Sequence, residues 1–340
     1  MNNYPKVAIV ILNWNGVNHL QEFLPSVLTS EWPNLEIIVG DNASADGSVE
    51  YLKSNFPSIR VIENDTNYGF TGGYNRILAQ VEADYYILLN SDVEVYPGWI
   101  GPVITLMESD PLIAVAAPKI KAYSEKDQFE HAGAAGGFID SFGYPFCRGR
   151  IVYEIEQDKG QYEQSGEVFW ASGAAMFIKK KYWDEAGGFD ERFFAHMEEI
   201  DLCWRLKNKG YKVMYCAQSQ VYHLGGGTLT TENPFKTYLN FRNNLLLIKK
   251  NLPFWKAFIV ISARFVLDSM AIIRFLTEGK RRDAWAVSRA HQYFIRHIFD
   301  RGYLTTYNSK LTGMYHGSII WDFFIRKHQT FTDLDQENFY

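Results

Sequence analysis

Cysteine is scarce in this chain of 340 residues. Its three cysteines, Cys147, Cys203 and Cys216, form no CxxC pair. This excludes a disulfide framework or a zinc knuckle as the basis of the fold, because both need closely spaced sets of cysteines. A chain that does without disulfides is typical of a reducing compartment, so we expect a cytoplasmic location.

Long uncharged apolar runs are also missing. No stretch of about 18 apolar residues is free of charge, so we expect no transmembrane helix. The N-terminal segment MNNYPKVAIVILNW has one lysine and no small-residue cleavage site. Its apolar run starts too late and is too short for a signal peptide, and we interpret it as the first strand.

Two glycine signatures of nucleotide-binding proteins are absent. The chain contains neither GxGxxG nor GxxxxGK[ST]. The main sequence evidence for a dinucleotide oxidoreductase or a P-loop NTPase is therefore missing. Two other glycine-rich stretches are present, GFTGG at 69–73 and GGG at 225–227. The second follows His223, which is either a metal ligand beside amides that approach a diphosphate or an ordinary loop histidine.

The net charge of −5 argues against nucleic acid as the main partner. The charge is unevenly distributed, however. Residues 249–301 contain eleven Lys and Arg against four Asp and Glu, a balance of +7 that leaves −12 for the remainder. Such asymmetry suggests that the basic segment meets an anionic partner.

What the sequence does contain is a regular alternation of strand and helix patterns. Continuous apolar runs predict strands at 6–13, 35–40, 60–62 and 84–90, and helical spacing predicts helices at 17–30, 46–55 and 71–82. This alternation predicts an α/β fold with an open, mostly parallel sheet.

The second half of the chain has a different character. Residues 131–165 are rich in glycine and aromatic residues and predict long loops or short antiparallel strands. The segment 168–179 predicts a core strand, 197–209 a helix and 211–216 a strand, and from about residue 236 the pattern is helical. We therefore expect one domain over residues 1–235 and a helical extension over 236–340.

Polar residues follow each predicted strand of the first half. They are Asn13-Trp14-Asn15, Asp41-Asn42, Glu63-Asn64-Asp65 and Asn90-Ser91-Asp92. One polar strand end is a turn, but four at the carboxyl edge of one sheet form a rim. Ligands of open α/β sheets bind at that edge, so the rim predicts a ligand site.

Two residues of this rim have a structural alternative. A carboxylate at Asp92, beside other oxygen donors, suits a hard cation. Taken alone, it is more simply a turn aspartate that bonds its own backbone. Asp41 either accepts hydrogen bonds from a nucleoside base or ribose, or caps the following helix.

A crowded helix start adds further carboxylates. Glu198, Glu199 and Asp201 fall in the first turn of the predicted helix, where negative charge is favourable. That explains any one of them. Three carboxylates together repel, and such crowding can raise one pKa and prepare a general base.

Taken in order, eight stretches resemble a glycosyltransferase of family 2 with the GT-A fold, in particular its rhamnosyltransferase-like branch. They are VAIVILNWNG, IIVGDNASADGS, NDTNYGFTGGYN, YYILLNSDVEV, SGAAMFIKK, GGFDERFFAHMEEIDLCWRLKNKGYKV, VYHLGGGT and YLNFRNNLLLIKKN. Each stretch alone is weakly specific, and their order over residues 5–250 carries the resemblance.

The resemblance implies a Rossmann-like sheet and an inverting enzyme. Such an enzyme moves a sugar, rhamnose in this branch, from a nucleotide-diphosphate donor to a saccharide or lipid-linked saccharide in cell-surface polysaccharide synthesis. The implied donor contacts are Asn13, Asp41, Gly69, Asn75 and Asn90. The implied ligands of a divalent Mg or Mn ion are Asp92 and His223.

The chain departs from the family pattern at two points. The DxD motif reads Asn90-Ser91-Asp92, which removes one anionic ligand. The ED motif falls on Glu198-Glu199, so Glu199 stands where the base is usually aspartate. Its extra methylene moves the carboxylate by about an ångström, which matters for positioning.

Three rival interpretations are weaker. A sugar nucleotidyltransferase would open with a GxGTR-like loop, whereas the first strand here ends in NWNG. A catalytically silent sugar-nucleotide or polysaccharide-binding protein does not need the carboxylates that are present. A processive polymerase would bring transmembrane helices and a QxxRW-type motif, and the sequence has neither.

The segment FWKAFIVISARFVLDSMAIIRFLTEGKRR is apolar but interrupted by charges. Arg264 and Asp268 are spaced i,i+4 and can pair on one helix face. A helix packed on the core explains the apolar residues alone. A helix lying on the anionic inner face of the cytoplasmic membrane also explains the positive excess, so we predict peripheral membrane contact.

Overall fold

The secondary structure follows the alternating pattern of the sequence. The computed structural model describes residues 4–130, 133–225, 233–300 and 311–340. Its strands are β1 (Val7–Asn13), β2 (Leu35–Asp41), β3 (Arg60–Glu63), β4 (Tyr85–Asn90), β5 (Val93–Glu94), β6 (Ile113–Ala122), β7 (Gly137–Asp140), β8 (Pro145–Cys147), β9 (Arg150–Ile151), β10 (Glu154–Ile155), β11 (Gly166–Glu167), β12 (Ala175–Lys179), β13 (Lys212–His223) and β14 (Met314–Tyr315).

The longer helices lie between these strands and, in a row, after them. They are α1 (Val17–Val27), α2 (Ser48–Asn55), α3 (Gly69–Leu78), α4 (Ile100–Glu108), α5 (Lys180–Ala186), α6 (Glu198–Asn208), α7 (Pro234–Asn251), α8 (Phe254–Thr277) and α9 (Arg281–Arg296). The predicted helical C-terminal region is thus present in α7, α8 and α9.

A central sheet has the strand order β11-β13-β6-β12-β4-β1-β2-β3, with β5 paired to the end of β13. Strands β3, β2, β1 and β4 run parallel to one another, and β6 and β13 form a second parallel pair. Strand β12 is antiparallel to both of its neighbours. The sheet is therefore mixed but mostly parallel, which confirms the predicted fold class.

Helices cover both faces of this sheet. Alternate residues of β1 point to opposite faces. Val7, Ile9 and Ile11 belong to one buried cluster with residues of α1, α2 and α4. Ala8 and Val10 belong to a second cluster with residues of α3, α5 and α6. Burial on both sides explains why β1 has a continuous apolar sequence instead of an alternating one.

A smaller sheet, ordered β10-β9-β8-β7-β14, forms from the glycine- and aromatic-rich region and from the end of the chain. The short antiparallel strands predicted within 131–165 are present as β7, β8, β9 and β10. Residues 311–340 differ from the three preceding helices, because β14 pairs with β7 and one-turn helices follow it. Aromatic contacts of Phe331 and Phe339 with Phe138 fix this segment to the small sheet.

Some predicted boundaries are wrong. The third helix runs from Gly69 to Leu78 instead of 71–82, and only Ala175–Lys179 of the predicted strand 168–179 is a strand. Strand β13 continues to His223, past the predicted end at 216, through a bulge between Cys216 and Gln220. At the start of α3, tertiary hydrogen bonds from Phe70 and Thr71 to the Phe194 carbonyl override the local pattern.

Candidate active site

The first part of the site lies where β1 and β2 end side by side. Asn13 and Asp41 are register partners and both are buried. Asn13 Nδ2 donates a hydrogen bond to Asp41 Oδ1 at 3.0 Å, and the Ser44 amide donates to Asp41 Oδ2 at 2.8 Å. The structure thus brings together two residues of the predicted rim. Asp41 also holds the turn that follows β2, so one carboxylate orders this edge.

The second part of the site lies where β4 ends. The chain leaves β4 at Asn90 and returns as β5, which pairs with β13 so that Val93 faces His223. This pairing places Asp92 Oδ1 3.1 Å from His223 Nε2. The other ring nitrogen, Nδ1, is 3.4 Å from Glu130 Oε1. Strand pairing therefore brings together three titratable side chains that are distant in sequence.

All three of these side chains are buried. Burial by itself would lower the pKa of His223, but hydrogen bonds to Asp92 and Glu130 outweigh it and raise the pKa to about 10. Burial by itself would raise the pKa of Asp92, but the bond to His223 outweighs it and lowers the pKa. The two carboxylates thus favour a protonated imidazole between them, and a cation bound by Asp92 and His223 Nε2 would have to displace that proton.

The Asp92–His223 pair also fits a divalent cation. Two ligands at about 2.1 Å from an ion and at a right angle to each other are about 3.0 Å apart, close to the observed 3.1 Å. A carboxylate oxygen and an imidazole nitrogen both suit Mn²⁺. Among the described residues no group of three or more His, Cys, Asp and Glu forms a complete metal site. The pair therefore fits an ion whose remaining ligands come from phosphate and water, as is usual for Mg²⁺.

The third part of the site is the start of α6. Three residues before Glu198 have left-handed backbone angles although none is glycine: Phe194 at φ 65°, His196 at 70° and Met197 at 72°. Such angles are strained, and strained residues concentrate at functional sites. Glu198 is buried and Glu199 half-buried. In the described part of the chain, the Oε2 atoms of both lack a hydrogen-bond partner.

Burial is the main reason why Glu198 and Glu199 are weaker acids than ordinary glutamates. It raises the pKa of Glu199 to about 7, against an ordinary value of 4.5. It also raises the pKa of Glu198, with repulsion from Glu199 as the second cause. The third carboxylate, Asp201, behaves differently. It is neutralised by Arg205 at 2.8 Å and Lys250 at 2.8 Å, and its pKa is lowered although burial opposes this.

The end of β4 and the start of α6 are held together through Gly173 and Ala174. The Ala174 carbonyl accepts a hydrogen bond from the Asn90 amide at 3.0 Å. A Cβ placed on Gly173 would lie 4.0 Å from Glu199 Cβ. Gly173 and Ala174 thus lie between the two parts of the site, with Glu199 near the first of these residues and Asn90 bonded to the second.

Two residues predicted to contact a donor have other partners in the structure. Gly69 has φ 71°, and a Cβ there would lie 2.5 Å from the Phe194 ring. A residue with a side chain would therefore clash with this ring, and glycine is needed here for packing. Asn75 lies two turns into α3 and is bonded through both polar atoms to the main chain of Phe189, at 2.9 and 3.0 Å.

Some of the predicted site lies outside the described residues. Gly225 is described, and a Cβ there would lie 3.0 Å from Glu130 Oε1. Gly226, Gly227 and Thr228 of the glycine run belong to residues 226–232, which the structure does not describe. Asn90 is described, and its Nδ2 lies 3.4 Å from His223 Nε2.

Sequence reasoning missed the residues of α7 that hold the strained loop. Asn243 donates from Nδ2 to three main-chain carbonyl oxygens, those of Phe193, Ala195 and His196, at 2.9, 2.8 and 2.7 Å. Arg242 donates from Nη2 to the carbonyls of Arg192 and Phe193. In the sequence, the FRNN stretch of α7 contributes only to the family resemblance. Nothing in its helical spacing indicates that two polar side chains point inward.

Fold and site together define a glycosyltransferase of the GT-A class, with carboxylates and a histidine at the carboxyl edge of a mostly parallel sheet. The sequence model of glycosyl transferase family 2 matches residues 8–185, just over half of the chain. The chain therefore belongs to glycosyl transferase family 2, which confirms the resemblance.

Among curated proteins, one similar relative is the N-acetylglucosaminyl-diphospho-decaprenol L-rhamnosyltransferase of Mycobacterium tuberculosis (strain CDC 1551 / Oshkosh). It is 26% identical over 234 residues, which cover 64% of this chain and 75% of that protein. This relative agrees with the predicted rhamnosyltransferase-like branch.

Two solved structures share the fold. The mannosyltransferase PcManGT from Pyrobaculum calidifontis, solved with GDP-Man and Mn²⁺, aligns with a TM-score of 0.53 at 11% identity and covers 88% of this chain and 89% of its own. GalNAc-T7, solved with UDP, GalNAc and Mn²⁺, aligns with a TM-score of 0.56 at 16% identity. This alignment covers 74% of the present chain and about half, 48%, of GalNAc-T7.

Proposed function

We propose that this protein is an inverting glycosyltransferase that moves a sugar from a nucleotide-diphosphate donor to the hydroxyl of a saccharide or lipid-linked saccharide. The observation that carries the proposal is the placement of Glu199. Its side chain is half-buried, its Oε2 is unpaired among the described residues, and its Cβ lies close to Gly173, which precedes the Ala174 that bonds Asn90. A carboxylate with an unpaired oxygen near a candidate diphosphate site is the arrangement that this chemistry requires.

The donor half of the proposal uses the edge formed by β1, β2 and β4. Asn13 and Asp41 would contact the nucleoside, and Asn90 would lie near the diphosphate. Asp92 and His223 would hold a divalent Mg or Mn ion, which when bound supplies positive charge that stabilises the departing nucleoside diphosphate. Gly69 and Asn75 have structural partners, so the donor contacts do not depend on them.

The acceptor half uses α6. Glu199 would accept the proton of the acceptor hydroxyl while that oxygen forms a bond to the anomeric carbon. The bond from the anomeric carbon to the diphosphate oxygen breaks on the opposite side, so the configuration inverts. A raised pKa suits this role, because a base near neutrality has both a useful ionised fraction and useful proton affinity. Glu198 would be a structural neighbour that keeps the pair desolvated.

Rhamnose is the sugar we propose, with a nucleotide-diphosphate rhamnose as the donor. The support is the likeness to a relative named as an L-rhamnosyltransferase. The same relative is named for a diphospho-decaprenol acceptor. We therefore propose a lipid-linked saccharide on the route to a cell-surface polysaccharide as the acceptor.

A panel of nucleotide sugars tests the proposal. Each donor is scored for binding by calorimetry and for hydrolysis with Mg²⁺, with Mn²⁺ and with chelator. We expect one donor to bind and to be hydrolysed slowly, and hydrolysis to fall when the cation is removed. Binding without hydrolysis or transfer would indicate a silent binding protein. Formation of nucleotide sugar from sugar phosphate and nucleoside triphosphate would indicate a nucleotidyltransferase.

The proposed base has its own test. Glu199→Gln should keep donor binding and lose turnover by at least about 100-fold, the lower range for a general base. Glu82→Gln, at an exposed position between α3 and β4, is the matched control and should keep full activity. An inactive Glu198→Gln together with an active Glu199→Gln would exchange the two roles.

A further inference from the structure

Helix α8 presents an apolar face to solvent and a charged face to the protein. Its buried residues are Ala257, Arg264 and Asp268. Its exposed side chains include Phe254, Trp255, Phe258, Ile259, Val266, Met270, Ile273 and Leu276, with exposed fractions from 50% to 71%. At 100° per residue, Trp255, Ile259, Val266, Met270 and Ile273 fall on one side of the helix. An exposed apolar face of this size is unfavourable in water and is typical of a surface that binds a partner.

The inward charges fix the orientation of α8. Arg264 pairs with Asp268 at 3.2 Å, as the i,i+4 spacing predicted. Asp268 also bonds to His291 of α9 at 3.1 Å, and Arg264 donates to Asn244 of α7. These bonds hold the polar side of α8 against α7 and α9. Rotation of α8 about its axis would break them, so the apolar side stays exposed.

Cations border the apolar face at both ends. Lys256 is exposed at the first turn. Arg274 is exposed near the last turn, where it pairs with Glu278 at 2.7 Å, and Lys280, Arg281 and Arg282 follow, all exposed. An apolar stripe with basic residues at its borders is the pattern of helices that lie in a membrane interface.

We propose that α8 docks on an anionic membrane surface, with the face from Phe254 to Leu276 among the lipid chains and the flanking Lys and Arg side chains on lipid phosphates. Contact in the plane of the membrane agrees with the composition of the helix, because Lys256, Arg264, Asp268 and Arg274 interrupt its apolar sequence. Its 24 residues extend about 36 Å, and none of the described helices is long and apolar enough to cross a bilayer.

A second copy of the chain is a poorer occupant of this face. In a two-fold dimer each surface meets itself. If two α8 helices paired antiparallel, Lys256 of each would meet the Lys280-Arg281-Arg282 cluster of the other. If they paired parallel, the two clusters would meet. Both arrangements bring like charges together, whereas phosphate headgroups complement them.

Docking through α8 would also orient the catalytic edge. Asn243, on α7, holds the loop before Glu199. The next residue, Asn244, accepts the hydrogen bond from Arg264 of α8. Two sets of hydrogen bonds thus connect the membrane-facing helix, through α7, to the loop before the proposed base. A membrane-bound acceptor would then meet a site that has a fixed orientation relative to the membrane.

Flotation of the full chain with liposomes tests the proposal. Binding should be strong to vesicles that contain phosphatidylglycerol, weak to pure phosphatidylcholine, and should fall with salt. The triple change Lys280→Glu, Arg281→Glu and Arg282→Glu should lower the partition coefficient by about 100-fold. Equal flotation with both vesicle types at low salt, or an unchanged partition coefficient in the triple variant, would overturn the proposal.

A charge-matched control separates local from overall charge. Lys53, Lys181 and Lys209 are exposed on other elements of the chain, and their triple change to Glu should leave flotation within about twofold of wild type. A loss as large as that of the first triple variant would show attraction by net charge and would overturn docking through α8.

A probe reports on the apolar face directly. All three native cysteines are buried, so a single introduced cysteine can be labelled selectively. An environment-sensitive dye on Ser262→Cys, within the face, should shift to the blue on addition of anionic vesicles, and on Ser54→Cys, on α2, it should not. No shift at Ser262 would overturn the proposal. So would sedimentation of the lipid-free protein as a dimer that Trp255→Ser with Ile259→Ser dissociates, because a second copy would then cover the face.

Discussion

Replacing Glu199 by glutamine should inactivate the protein and make it more stable at the same time. The side chain is held in a desolvated place beside Glu198, with Oε2 unpaired among the described residues. An ionised carboxylate is costly there because burial removes water, and the backbone hydrogen bonds that the carboxylate gains do not make up for this loss. Glutamine has nearly the same shape and no charge, so the change removes this cost and leaves the packing in place.

The size of the effect follows from proton linkage. Burial raises the pKa of Glu199 from 4.5 to about 7 in the folded chain. The unfolded chain therefore loses this proton first, and folding becomes less favourable as the pH rises from about 4.5 to about 7. At about 1.4 kcal/mol for each pH unit, the full cost above pH 7 is roughly 3 kcal/mol. Below about pH 4 both states are protonated and the cost vanishes.

Urea unfolding followed by circular dichroism measures this effect. At pH 8 we expect Glu199→Gln to raise the free energy of unfolding by roughly 1–3 kcal/mol, and at pH 5 by less than about 1 kcal/mol. Glu82→Gln should change stability by less than about 0.5 kcal/mol at both pH values, as is usual for exposed sites.

The pH dependence is the decisive part of this experiment. A gain of equal size at pH 5 and pH 8 would mean that glutamine acts through packing or hydrogen bonding and not through charge. A loss of stability at pH 8 would mean that the carboxylate is well paired in the folded protein. Either result would refute the argument that Glu199 is kept ready as a base at the expense of stability.

Three further predictions concern the rest of the site. Asp92→Ala should abolish transfer with an unchanged circular dichroism spectrum, and full activity at saturating Mg²⁺ or Mn²⁺ would contradict the metal assignment; His223→Ala should weaken metal dependence less, because the imidazole loses its proton when it binds a cation and then contributes no charge. Asn243→Ala should lower kcat by about 10-fold or more with little change in donor KM. Asn240→Ala, on the same helix, should leave both constants unchanged. Equal effects of the two changes would show that Asn243 does not position the loop before Glu199. In wild type, the transfer rate should rise with pH through about 7 as Glu199 ionises, and a flat profile between pH 5 and 8 would exclude it as the base.

The strands and the rim of polar residues were predictable because they depend on local pattern. A strand buried on both faces needs a continuous apolar run, and β1 and β4 have one. The polar residue that ends such a run must lie at the carboxyl edge of a parallel sheet. This pattern places Asn13, Asp41 and Asp92 on the rim, whereas their predicted roles as donor contacts and metal ligand rest on the resemblance.

The partners of these residues were less predictable. Asp92 and His223 meet because β5, only two residues long, pairs with the end of β13. So short a strand has no recognisable pattern. Glu130 approaches the other ring nitrogen of His223 because its amide donates a hydrogen bond to the Ile120 carbonyl of β6, the strand that pairs with β13. The sequence indicates each group separately, whereas their distances depend on tertiary structure.

The boundary of α3 shows how tertiary contacts extend a helix. Residues 69–73 read GFTGG, which is poor helix-forming sequence. The helix nevertheless begins at Gly69, because the Phe194 carbonyl accepts hydrogen bonds from the amides of Phe70 and Thr71 at 2.7 and 3.1 Å. Unpaired amides at a helix start need such a partner. Here it comes from a loop 123 residues further along the chain.

The strained loop before α6 explains why the C-terminal helices matter to a site built on the sheet. Left-handed angles at Phe194, His196 and Met197 cost about 1–3 kcal/mol each, and they persist only where surrounding contacts hold them. The carbonyls of this loop are held by Arg242 and Asn243 of α7 on one side, while α3 donates to Phe194 on the other. Without α7 the loop would relax toward ordinary backbone angles and Glu199 would move. The extension thus keeps the proposed base in its costly position, and the same helix bundle presents the apolar face of α8.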